Sequence, residues 1–208
     1  MINDIKKSFY YNDISIDLFS DVYEPAEDTY LMINSLIFNS KDLILEIGTG
    51  CGIIALECAK KAKKIVATDI NPHAIDCAKR NYFQNKDKLK GIINFRVGDL
   101  FKIIEEKERF DIIIFNPPYL PTKPNEQLNG FINYALDGGQ DGLKTTKQFI
   151  DNLTPYMKTN GKAYFIFSSL SNQKKLDRIL FKNKLGAEII SSQWFDIERI
   201  NVYCVRAI

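Results

Sequence analysis

The chain is 208 residues long, with 28 Lys plus Arg against 26 Asp plus Glu and one His, a formal net charge of +2. At 45% hydrophobic and 26% charged residues it has the make-up of an ordinary globule, which excludes a disordered or fibrous chain. Such a balance also argues against a protein that grips duplex DNA mainly by neutralising phosphates, because each phosphate needs its own Lys or Arg.

Cys51, Cys58, Cys77 and Cys204 form no CxxC pair, and His73 is the one histidine beside them, so no metal site is expected. Asp and Asn interrupt every apolar run of the N-terminal stretch, and no run approaches the ~18 residues of a membrane span. Neither a signal peptide nor a membrane segment is expected, and the expected compartment is the cytoplasm.

In chain order, residues 1–40 predict a strand or turn followed by a helix over 25–38, an N-terminal extension of one domain spanning 1–208. Apolar runs then predict strands at Leu43–Ile47, 65–69, Ile92–Val97, Phe110–Phe115 and 162–167, each without strict polar alternation, as suits strands buried on both faces. Helices are predicted between them at 51–63, 72–85, 142–157 and 171–184; Pro72 sits at a first helical position, where its missing amide costs nothing. Two last strands, 188–193 and 201–206, are too close in sequence for a crossover helix and should pair antiparallel. A seven-stranded, mostly parallel sheet with an antiparallel C-terminal hairpin resembles the α/β, Rossmann-like fold of class I S-adenosylmethionine-dependent methyltransferases.

After the first of these strands comes Glu46-Ile-Gly-Thr-Gly-Cys-Gly52. Its glycines permit a tight turn and close approach of backbone to a ligand, with the next helix aiming amides at the bound group. The GxGxG spacing departs from the GxGxxG of dinucleotide sites, which argues against nicotinamide binding. Asp69 ends the second strand, where a carboxylate can accept the hydroxyls of a ribose, and Asp99 follows the third. Acids at the ends of three successive strands around one glycine loop resemble the S-adenosyl-L-methionine site of class I methyltransferases. That resemblance places Gly48 and Gly50 near the methionine portion, Asp69 on the ribose, and Asp99 with Leu100 around the adenine.

The fourth strand runs into Asn116-Pro-Pro-Tyr119. Consecutive prolines fix the backbone and remove two amide donors, leaving the carbonyls of Asn116 and Pro117 as free acceptors. A planar NH2 group needs such acceptors to hold its hydrogens while its nitrogen attacks an electrophilic methyl, so catalysis would rest on positioning and electrostatics with no carboxylate base. Asn116, Pro117 and Tyr119 are the candidate catalytic residues, with Pro118 completing the substrate contact. NPPY motifs serve glutamine amides and exocyclic base amines alike.

Asp21-Val-Tyr-Glu-Pro-Ala-Glu-Asp-Thr29 is the most specific segment of the chain. It resembles the HemK/PrmC-like N5-glutamine methyltransferases in their short archaeal and eukaryotic form, which modify a class 1 translation release factor. Ala135-Leu-Asp-Gly-Gly-Gln-Asp-Gly142 is similar to that family's Gly-Gly-x-x-Gly segment. The resemblance implies methylation of the Gln side-chain amide in the release factor's Gly-Gly-Gln tip. It carries Thr29, Glu46, Gly48, Asp69, Asp99, Leu100 and Asn116 over as cofactor contacts, and Asn116 to Tyr119 as substrate contacts. The chain's own Gly138-Gly139-Gln140 reads as a helix-entry turn, and the long connection over 117–141 as a wall of the substrate groove.

The alternative is an adenine-N6 or guanine-N2 methyltransferase acting on RNA or DNA. Extruding a base and holding its strand usually takes an added domain or a basic groove, and the densest basic run, Lys60-Lys-Ala-Lys-Lys64, reads as a solvated helix end. Aromatic residues at 9, 10, 11 and 19 read as core rather than stacking platforms. The resemblance also implies a small zinc-binding activator subunit; the apolar Ile92–Val97 strand, an expected sheet edge, is where it would add.

Overall fold

A computed structural model describes residues 4–208. A hairpin of β1 (Ile5–Tyr11) and β2 (Ile14–Phe19) opens the chain, followed by α1 (Glu27–Ser35). There follow β3 (Leu43–Ile47), α2 (Ile53–Ala59), β4 (Lys64–Asp69), α3 (Pro72–Gln84), β5 (Ile92–Val97) and β6 (Phe110–Phe115). A long connection carrying the short α4 (Ile132–Leu136) leads to α5 (Lys144–Leu153), β7 (Met157–Ser168), α6 (Gln173–Lys182), β8 (Leu185–Phe195) and β9 (Glu198–Ala207).

The seven-stranded sheet runs β5-β4-β3-β6-β7-β9-β8. Strands β3 to β7 are parallel; β9 pairs antiparallel with both β7 and β8. The predicted architecture and its closing hairpin are therefore present, and β5 is an edge. Alternate residues of the central strands feed two apolar layers. Ile112, Ile114, Tyr164 and Ile166 face α1, α2 and α3, while Ile113, Phe115, Phe165 and Phe167 face α5 and α6. Phe165 stacks on Tyr203 with centroids 5.2 Å apart, and Phe149 of α5 packs against Phe115 at 5.0 Å.

Four expectations are corrected. Residues 4–40 hold two strands before the helix, because Asn12, at a φ of 53°, turns the chain tightly and lets Ile14, Ile16 and Leu18 alternate into the core. The expected helix over 25–38 is the shorter Glu27–Ser35, and its exit is held by the Tyr164 hydroxyl donating to the Ile37 carbonyl at 3.2 Å. Likewise the expected helices 51–63 and 142–157 shrink to α2 and α5: left-handed glycines occupy the start of the first, and Thr154-Pro155-Tyr156 tightens the end of the second. Phe19 is buried and Phe9 and Tyr11 are half-buried, as core packing required, whereas Tyr10 faces solvent.

The hairpin is clipped to α3 by Asn81, which is fully buried. Its Oδ1 accepts from the Asp17 amide at 2.8 Å, while its Nδ2 donates to the carbonyls of Asp17 and Cys51, each at 2.9 Å. Each partner left unpaired in that setting would cost about 1–3 kcal/mol. This clip holds β2 against α3; the chain then enters α1, whose Asp28 reaches the turn that follows β6.

Candidate active site

In a doubly wound sheet ligands lie outside the strands' carboxyl ends, where the chain reverses its order. Here that point lies between β3 and β6, since β4 and β5 build outward on one side before the chain returns to β6 on the other. A cavity of about 590 Å³ opens there, within the usual range for a small-molecule site. Every sequence-predicted site residue lines it: Thr29, Glu46, Gly48, Gly50, Asp69, Asp99, Leu100, Asn116, Pro117, Pro118 and Tyr119.

Gly48 and Gly50 take φ values of 69° and 56°, a conformation costly for a residue with a side chain, and a Cβ on Gly50 would meet nothing within 4 Å, so the turn leaves open space above it. The turn is tied to β4 by Asp69, whose Oδ2 accepts from the Gly50 amide and Oδ1 from the Asn71 amide, both at 2.9 Å. Burial raises the pKa of Asp69 despite these amides. Each of its oxygens keeps a lone pair for hydroxyl donors from the cavity.

Glu46 is 1% exposed and accepts one side-chain hydrogen bond, from Thr49 Oγ1 at 2.6 Å. Burial pushes its pKa up to about 8, with the charge of Asp69 adding to the rise. Among the described residues no cation pairs with it, so its carboxyl is held largely in the neutral form at pH 7. Asp99 is half-exposed and bonded by Lys102 Nζ at 2.6 Å. Leu100 takes a φ of 47°, strained for a residue with a Cβ, which turns the chain at the cavity rim.

At the end of β6, Asn116 donates its Nδ2 to Asp28 Oδ2 at 2.9 Å, and its Oδ1 is buried with no hydrogen-bond partner. The Tyr119 hydroxyl donates to the same Asp28 oxygen at 3.1 Å. Burial, and then the Asp28 charge, drive the pKa values of Tyr119 and Tyr23 far up, so both act as neutral phenols. Asp28 was not among the expected site residues; its partners at the motif, Asn116 and Tyr119, lie 88 and 91 positions away, and its local signal is that of an acid in a helix's first turn.

The tail of the motif is held by the glycine segment. At Gly142, with a φ of 71°, a Cβ would collide with the Tyr119 carbonyl, and Ser171 Oγ donates to that same carbonyl. Gly138 and Gly139 form the turn ahead of α5, as expected, with Gln140 exposed. The connection over 117–141 supplies cavity wall through Leu128, Phe131 and Tyr134. Two lysines of the basic run are engaged within the fold: Lys60 pairs with Asp13 and Glu57, and Lys61 bonds the Phe38 carbonyl. Among the described residues no helix is long and apolar enough to cross a membrane.

Residues 24–188 match the family model described as the methyltransferase small domain. A Methanocaldococcus jannaschii protein, provisionally named protein N5-glutamine methyltransferase, is 42% identical over 85% of this chain and 89% of its own length. A release factor glutamine methyltransferase of Thermodesulfovibrio yellowstonii is 34% identical over 77% of this chain and 60% of its own length. Among solved structures, the E. cuniculi Mtq2–Trm112 complex, described as responsible for methylation of the eRF1 translation termination factor, superposes with a TM-score of 0.71. Its identity is 24%, over 90% of this chain and 99% of that one. By this family match and these identities the chain belongs to the methyltransferase small-domain family, and within it to the HemK/PrmC-like N5-glutamine methyltransferases.

Proposed function

We propose that the protein transfers a methyl group to the side-chain amide nitrogen of the glutamine in a translation release factor's Gly-Gly-Gln motif. The observation that carries the reading is Asn116: its amide nitrogen is held by Asp28 while its buried oxygen lacks a partner at the cavity wall. An orphaned buried acceptor costs about 1–3 kcal/mol, a cost offset when an incoming N–H reaches it.

The residues fit S-adenosyl-L-methionine. The unpaired buried Glu46, the open space above Gly50 and the spare lone pairs of Asp69 suit a cationic amino-acid end joined to a ribose, and Asp99 and Leu100 frame the remaining rim. Thr29, beside Asp28 at the start of α1, lines the same cavity. When bound, the cofactor supplies an electrophilic methyl on a sulfonium. Asn116 Oδ1 and the Pro117 carbonyl accept the two amide hydrogens of the glutamine, which aims its nitrogen at that methyl. Pro118 stiffens the turn, and the Tyr119 ring, fixed by its hydroxyl, flanks the planar amide. A methylated nitrogen that still carries both hydrogens is strongly acidic and sheds one to solvent, so the site needs no general base.

Transfer of labelled methyl to purified release factor tests this reading. Labelling of tRNA or DNA in place of release factor would contradict it. Two further results are expected. Glu46 is largely protonated at pH 7 without a ligand, so stability associated with that proton is lost as pH rises from about 4.5 toward 8. A cation beside it reverses the preference, so cofactor binding at pH 7 should release a proton and tighten as pH rises toward 8. Calorimetry in buffers of different ionisation enthalpy should show the release in the natural protein and its loss in Glu46→Gln; a buffer-independent enthalpy in the natural protein would contradict it. Second, deleting residues 123–130 should raise KM for the release factor about tenfold, as expected of a groove wall; an unchanged KM would count against that role.

The small activator subunit is proposed to join at β5. That strand is a sheet edge with Ile92 and Val97 71% and 47% exposed, and the E. cuniculi relative in fold is a two-protein complex. The opposing device is Arg96, held in a two-pronged pair with Glu108 at 2.6 and 2.8 Å, which charges the edge.

A further inference from the structure

We infer that Asp28 is the positioning residue that sets which way the Asn116 amide faces, and thereby makes the site select an acceptor carrying two N–H bonds. The inference rests on the functional reading above and adds its specificity element. Asp28 is 4% exposed and receives donors from three parts of the chain. Its Oδ1 accepts from the Thr29 amide at 2.6 Å and from Thr29 Oγ1 at 3.2 Å. Its Oδ2 accepts from Asn116 Nδ2 at 2.9 Å and from the Tyr119 hydroxyl at 3.1 Å, with the Tyr23 hydroxyl more distant at 3.3 Å from Oδ1 and 3.4 Å from Oδ2.

A carboxylate offers acceptors alone, whereas a side-chain amide offers an acceptor at one end and donors at the other. Facing Asp28, Asn116 is stable only with its NH2 group toward the carboxylate, and its oxygen must then point away. The buried, unpartnered Oδ1 is the consequence. Turned the other way, Asn116 would set its oxygen against a carboxylate and present an NH2 to the cavity, where it would repel the NH2 of a glutamine. Asp28 thus converts a group that is ambiguous by nature into a dedicated acceptor. It leaves the methyl transfer itself unchanged: the nitrogen forms the new bond, the sulfonium sulfur keeps the electron pair of the broken one, and the proton leaves to solvent.

Asp28→Asn keeps the shape and one oxygen for the Thr29 amide but places an NH2 where Oδ2 stood, opposite the Asn116 NH2. Asn116 should then turn over. The expected result is a fall of about a hundredfold in kcat toward release factor, with the cofactor dissociation constant within about threefold of the natural protein. The swapped pair, Asp28→Asn with Asn116→Asp, again presents an oxygen to the cavity and should recover at least about tenfold of that loss, which a merely structural role for Asp28 would not produce. In parallel, the side-chain NH2 of Asn116, followed by nitrogen-15 NMR, should exchange slowly in the natural protein and rapidly in Asp28→Asn. This arm needs no substrate, so it decides the inference even if release factor is not the acceptor. A single variant retaining kcat within about twofold, a swap no better than the single change, or an unprotected Asn116 NH2 in the natural protein would overturn it.

Discussion

Asn116→Ala is expected to lower kcat for methyl transfer by about a thousandfold while cofactor affinity stays within about tenfold. The change removes the oxygen that holds one amide hydrogen, so the nitrogen is no longer aimed, and the effect falls on the transition state more than on binding. It also leaves Asp28 Oδ2 with the Tyr119 and Tyr23 hydroxyls alone. The cofactor should still bind, because the glycine turn, Asp69 and Glu46 lie at the ends of β3 and β4 and, among the described residues, their side-chain hydrogen bonds do not involve Asn116. Steady-state kinetics beside cofactor titration separates the two effects. A variant that loses cofactor binding and kcat together would mean that Asn116 chiefly shapes the pocket.

Asp69→Ala should act in the opposite sense, raising the cofactor dissociation constant about a hundredfold, or about 2.7 kcal/mol. The carboxylate has two roles at once: it accepts the amides of Gly50 and Asn71, and it presents its remaining lone pairs to the cavity. Hydrogen bonds to a charged group contribute roughly 1.5–3 kcal/mol each, and losing the pair to the backbone would also free the glycine turn. Asp69→Asn should fall between, since its NH2 must oppose one of the two backbone amides. Titration calorimetry reads the effect directly. A change below about threefold in Asp69→Ala would remove Asp69 from the binding site.

Residues whose meaning is local could be read from the sequence. Gly48 and Gly50 follow a buried strand, Asp69 closes the next, and Asn116 opens a proline pair, so strand periodicity together with glycine and proline placement located all of them at one end of a parallel sheet. Glu46 came from the family pattern; its isolation and its pKa of about 8 depend on burial that no local pattern states. Asp28 stayed hidden because its role exists only where α1 meets the turn after β6, 88 positions along the chain, and the β1–β2 hairpin ahead of α1, clipped to α3 by Asn81, was itself only partly legible. That hairpin had a local signal, alternating Ile14, Ile16 and Leu18 after Asn12-Asp13, but the charged and aromatic residues of β1 are mostly exposed and carry no matching apolar pattern. The left-handed Leu100 had none, since an ordinary residue there gives no sign of a turn.

The central claim is that the acceptor is a glutamine amide of a release factor. The most direct measurement incubates the enzyme with labelled S-adenosyl-L-methionine and an equimolar mixture of release factor, tRNA and DNA, then localises the label by fragmentation mass spectrometry. The account predicts one methyl on the side chain of the Gly-Gly-Gln glutamine and none when that glutamine is replaced. Label on a nucleic-acid base, or on release factor lacking that glutamine, would contradict it.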